Sequence, residues 1–111
     1  MFNPQLSTLS DIATATQTAI QQDFTNIDPI VGVNQSMRSS GVPADIITID
    51  CLSSGKRIIL ILHDEQPGII NYQLSFKDKD PQGKFETIPF EELTKNTLYQ
   101  WIHQYFLGTE D

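Results

Sequence analysis

Residues Ile58-Ile59-Leu60-Ile61-Leu62 are apolar at every position, and this run constrains the fold more tightly than any other in the chain. Successive side chains of a strand point to opposite faces, so a strand with no polar position must be covered on both sides and belongs inside a sheet. Two further extended segments, Ile46 to Leu52 and Ile69 to Phe76, flank a central one from Arg57 to Leu62. The connections are short. Ser53-Ser54-Gly55-Lys56 joins the first pair, and Gln66-Pro67-Gly68 joins the second with Pro then Gly in the order of a type II turn. Short turns make antiparallel neighbours, so Ile46 to Phe76 is expected to form a meander.

The third segment is uneven. Ile70, Tyr72, Leu74 and Phe76 share one face and Asn71, Gln73 and Ser75 the other, which predicts one dry side and one wetter side. Beyond it, Asp80-Pro81-Gln82-Gly83 fits a type I turn, and Lys84 to Ile88 can add a fourth strand ended by Pro89, which cannot donate to a ladder.

Helices are expected at both ends. From Leu6 to Ile27, Leu9, Ile12, Ala13, Ala19, Ile20, Phe24 and Ile27 recur at three- and four-residue steps, with Ser7 or Ser10 as N-cap. Near the C-terminus, Leu98, Trp101, Ile102, Tyr105 and Phe106 form an aromatic-rich stripe, opened by Thr94 and closed by Gly108. Between the first helix and the sheet, Asp28-Pro29 with Ile30, Val33 and Met37 carries the signals of a second short helix; Gly32 and Ser39-Ser40-Gly41 make an ordered loop the alternative. The expected fold is α+β: an antiparallel three- to four-stranded β-meander flanked by one or two N-terminal helices and a C-terminal helix, in a single domain over residues 1–111. One helix layer cannot cover both faces of such a sheet. Either the terminal helices pack on opposite sides or a second subunit covers one of them.

At 111 residues the chain is large enough to fold without a disulfide or metal staple. Its one cysteine, Cys51, follows Ile47 and Ile49 in an apolar alternation, so it is expected to be a small buried hydrophobe in a reducing, cytoplasmic setting. Met1-Phe2-Asn3-Pro4-Gln5 lacks a basic start and an apolar core, so neither an export signal nor a membrane span is expected. Fourteen acidic against seven basic residues give a formal charge of -7. That balance repels phosphate backbones and argues against nucleic acid. A helix pair before a hairpin suggests a winged-helix DNA reader, but the segment around residues 28–41 offers only Arg38 to anchor phosphates.

Chemistry-bearing residues are sparse. His63-Asp64-Glu65 ends the central strand, and with Asp50, Cys51 or His103 it would supply imidazoles and carboxylates for zinc or acid-base work, although the spacing matches no ligand pattern. Asp78 to Gly83 resembles the front of a calcium loop, but Pro89 stands where the bidentate Glu is required. No catalytic residue, cofactor or metal is therefore assigned, and the site candidates are His63, Asp64, Glu65, His103, Tyr99 and Arg38. Of the terminal-helix aromatics, Tyr99 lies off the apolar stripe and is expected to be exposed. The leading expectation is a non-enzymatic protein-binding or accessory domain that binds a protein partner or self-associates as a homodimer. The alternatives are an acidic inhibitor, immunity-type or chaperone-type protein for a basic partner, and a small hydrolase or metal enzyme using His63, Asp64 and His103.

Overall fold

The apolar run of the sequence becomes the middle strand of a five-stranded antiparallel sheet in the computed structural model, which describes residues 4–24, 29–52, 54–76 and 85–106. In chain order the elements are α1 (Pro4–Asp23), β1 (Pro29–Asn34), α2 (Ser36–Ser39), β2 (Ala44–Cys51), β3 (Lys56–His63), β4 (Ile69–Phe76), β5 (Glu86–Pro89), a 3-10 turn at Phe90–Glu92, and α3 (Lys95–Phe106). The sheet order is β1-β2-β3-β4-β5, so every strand pairs with its neighbour in sequence. The fold is α+β, with a helix at each end of an antiparallel sheet.

The turns follow their sequence chemistry. Gly68 has φ +86°, and the Ile69 amide donates to the Gln66 carbonyl at 3.2 Å, the closure of a type II turn with Pro67 at its first corner. Gly55 at φ +76° ends the β2–β3 connection, its amide donating to the Cys51 carbonyl at 2.8 Å. The Asp80–Gly83 turn, the Asp78–Gly83 loop, Ile27, Asp28, Lys84 and Gly108 lie outside the described residues.

The segment expected to form a second helix is a strand at Pro29–Asn34. Pro29–Asn34 pairs antiparallel with β2, Pro29 opposite Cys51 and Val33 opposite Ile47, and only Ser36–Ser39 makes a single helical turn. The reason lies in the β-branched residues Ile30, Val31 and Val33, which gain more from the free edge of β2 than an isolated turn of helix returns. Pro29 is compatible with this because it is the first residue of an edge strand.

Both long helices lie on the same side of the sheet. α1 buries Leu6, Leu9, Ala13, Thr16 and Ile20 at alternating steps of three and four, and α3 buries Leu98, Ile102 and Phe106 at steps of four. These residues join one core with Ile47, Ile49 and Cys51 of β2, Ile58, Leu60 and Leu62 of β3, and Ile70 of β4. Register places exactly these strand positions on a common face: Ile47 opposite Leu60, Ile49 opposite Ile58, and Leu62 opposite Ile70. The helices also touch each other, with the Phe24 ring 5.1 Å from that of His103. Thr16 is fully buried among these apolar groups, and its hydroxyl donates to the Ile12 carbonyl at 2.7 Å.

Cover of the dry side is incomplete along β4. Leu74 and Phe76 point toward the helix layer by register but remain 46% and 43% exposed, whereas Ser75 on the opposite face is 9% exposed. The helix-facing and helix-averted sides of β3 should therefore respond differently to truncation. In urea titrations Leu60→Ala is expected to cost about 2–5 kcal/mol as a cavity under both helices, and Ile61→Thr no more than about 1 kcal/mol. Equal losses would contradict this placement of the core.

Candidate functional site

The side of the sheet turned away from the helices carries an apolar array that no described residue covers. Strand register places Ile30, Ile46, Ile59, Ile61 and Ile69 on this open face, along with Thr48, Asn71 and Gln73. Ile59, between its register partners Thr48 and Gln73, is 6% exposed; Ile46, Ile61 and Ile69 are half-buried and Ile30 is 40% exposed. Gly32 lies opposite Thr48, where an added Cβ would stand 3.3 Å from the threonine hydroxyl. A side chain at this edge would crowd the face, and glycine keeps it flat.

Charge is nearly absent there among the described residues. Asp50 and Arg57 are the charged residues that register places on this face, besides the titratable His63 at its rim. They neutralise each other: Arg57 donates from Nε to Asp50 Oδ1 at 2.6 Å and from Nη2 to Oδ2 at 3.0 Å. This hydrogen bonding holds the Arg57 guanidinium above its ordinary pKa. A surface with apolar centre, polar margin and depleted charge has the composition of an interface core.

Two of the sequence candidates do meet. Arg38 of α2 binds Asp45 from Nε at 3.0 Å and from Nη2 at 2.8 Å, and binds Asp64 from Nη1 at 2.9 Å and from Nη2 at 2.8 Å. Asp45 is fully buried and also accepts from Gln35 Nε2 at 3.3 Å. Hydrogen bonds to Asp64 and then Asp45 raise the Arg38 pKa. Both edges of its guanidinium are filled by carboxylates, so Arg38 ties α2 to β2 and to the turn after β3.

The remaining candidates are dispersed. His63 ends β3 with the parity of Ile59 and Ile61, on the open side, whereas His103 rests in the helix layer against Phe24. Glu65 is exposed in the turn beyond. Asp50 belongs to Arg57 and Cys51 is buried in the core. Among the described residues there is no group of three or more His, Cys, Asp or Glu side chains able to hold a metal ion. Tyr99 is half-buried rather than exposed, because its ring packs on the core and its hydroxyl donates to the Asp23 carboxylate across the two helices. No described helix is long and apolar enough to cross a membrane.

The aromatic stripe of α3 faces inward. The Trp101 ring stands 4.5 Å from that of Tyr72, and the Tyr105 hydroxyl donates to the Ser75 carbonyl at 2.7 Å. Tyr72, Leu74, Trp101, Gln104 and Tyr105 line a shallow groove of about 300 Å³ between β4 and α3. It is open and shared with core contacts, so it is a weaker docking surface than the isoleucine face.

Ile30 and Gly32 escaped the sequence analysis as surface residues because β1 was expected to be helical. The signal that would have found them is the alternation of Ile30 and Gly32 with Val31 and Val33, which places two residues on each face of a strand.

If the Arg38 cluster is structural, Arg38→Met lowers the urea midpoint more than Asp64→Asn, since it strands the buried Asp45 carboxylate, and adding Asp45→Leu recovers much of the loss. A double variant no more stable than Arg38→Met would contradict that role. Tyr99 and Tyr105 have raised phenol pKa values, from the hydrogen bond to Asp23 and from burial respectively. The folded state therefore favours the protonated phenols. Their contribution is complete below the unfolded value near 10 and is lost as pH rises through the folded values, so the thermal midpoint should fall in that alkaline range and fall less steeply in Tyr99→Phe. No family model matches this chain, and no curated protein or solved structure is significantly similar to it.

Proposed function

We propose that this chain is a non-enzymatic protein-binding, accessory domain, and that its docking surface is the open face of the sheet. The observation that supports the reading is the isoleucine array of Ile30, Ile46, Ile59, Ile61 and Ile69 on a face with one self-neutralised ion pair, in a chain of net charge -7. A sheet face that only meets water does not gain from such depletion of charge, and a docking face does.

The titratable candidates are engaged in structure or kept apart. Arg38 and Asp64 bind each other, Tyr99 binds Asp23, and the sheet lies between the positions of His63 and His103. A hydrolase or metal enzyme would need such groups within hydrogen-bond reach of one substrate. An acidic inhibitor, immunity-type or chaperone-type role would draw on the net charge, but among the described residues the open face offers a basic partner only Asp50, already paired with Arg57.

The test is capture with the tagged full chain in its native host, scored for any partner, the untagged copy of the same chain included. The wild type and a Thr14→Lys control on the outer side of α1 are expected to retain the partner, and Ile61→Lys to lose it. A partner held equally by Ile61→Lys would contradict the assignment of the face.

A further inference from the structure

We infer that the partner on the open face is a second copy of this chain, packed sheet against sheet about a two-fold axis; this rests on the reading of that face as the docking surface. The charge pattern is self-complementary. Asp50 and Arg57 are register partners on adjacent strands. With the axis running along the strands midway between β2 and β3, each β2 residue lies over the β3 residue that it faces within its own sheet. Asp50 then meets Arg57 of the other copy, Thr48 meets Ile59, and Ile46 meets Ile61. Each guanidinium gains a second carboxylate, each carboxylate a second guanidinium, and the isoleucines interdigitate as the inner faces of a sandwich do.

The area is sufficient for a reversible dimer. β1 to β4 contain six, eight, eight and eight residues. At roughly 4.8 Å between strands and 3.3 Å per residue, they offer a footprint of about 20 by 23 Å, and two pleated faces together bury on the order of 1,000 Å², the threshold for a specific interface. An interface of this size dissociates readily. β5 lies beyond β4, outside the overlap.

The net charge gives the dimer a signature. Two chains of -7 repel each other, while the contact itself is neutral. Added salt screens the long-range repulsion, so self-association should tighten as ionic strength rises from about 0.01 to about 0.1 M and the Debye length falls from about 30 to about 10 Å. An acidic chain seizing a basic partner shows the opposite dependence.

The experiment is sedimentation of the full chain from low micromolar to millimolar concentration, repeated at low and moderate sodium chloride. The expected result is a reversible dimer that tightens with salt. Ile61→Lys and Ile30→Lys should each weaken it at least about tenfold, and Thr14→Lys should leave it unchanged, with the same change in net charge in all three. Circular dichroism and thermal midpoints near wild type for at least one of the two open-face variants separate loss of association from loss of fold. A monomer at every concentration, a dimer indifferent to both open-face variants, or one that loosens with salt overturns the proposal. If the chain is monomeric but Ile61→Lys still loses a captured partner in the host, the docking face stands and the second copy does not.

Discussion

The structure depends on how the central strand is covered. β3 is apolar on both faces from Ile58 to Leu62, and among the described residues helices pack on only one of them. On that side Ile58, Leu60 and Leu62 are removed from water by α1 and α3, each of these burials being worth roughly 1.5–3 kcal/mol. On the other side Ile59 is 6% exposed and Ile61 is half-buried. The two alternatives posed by the sequence, helices on opposite faces or a subunit over one of them, are narrowed because α1 and α3 pack against each other on a single face. The helix layer leaves a sheet side whose composition resembles an interface more than a solvated surface.

Electrostatics is arranged around the same asymmetry. Arg38 is saturated by Asp45 and Asp64, Arg57 by Asp50, and Lys56 donates to the Tyr105 carbonyl at 2.9 Å with its ammonium 5.0 Å from that ring. Three of the basic groups are thus committed to holding strands to helices or to each other. Long-range repulsion and short-range neutrality act at different distances, which is why salt can distinguish a second copy from a cationic partner.

Much of this was legible in the sequence. The unbroken apolar run fixed the middle strand, Pro67-Gly68 fixed its exit turn, and Thr94 marked the start of α3, where its hydroxyl accepts from the Thr97 amide at 3.2 Å. The alternation of β4 also foretold an uneven face, with Asn71 and Gln73 on the open side. What was not legible depends on tertiary pairing. Pro29 to Asn34 carries helix start signals and strand residues together, and only the free edge of β2 decides between them. The junction of Arg38 with Asp64 spans 26 residues and is invisible to local pattern. The 9% exposure of Ser75 and the 46% exposure of Leu74 reverse what the alternation alone predicts, because cover is a matter of tertiary packing that periodicity does not encode.

Isoleucine methyl spectra recorded across a dilution series test the central claim most directly, because they report each face of the sheet in one measurement. The account predicts concentration-dependent shifts for Ile30, Ile46, Ile59 and Ile61, while Ile47, Ile58 and Ile102 under the helices stay fixed. Shifts confined to the helix side, or none at any concentration, would contradict it.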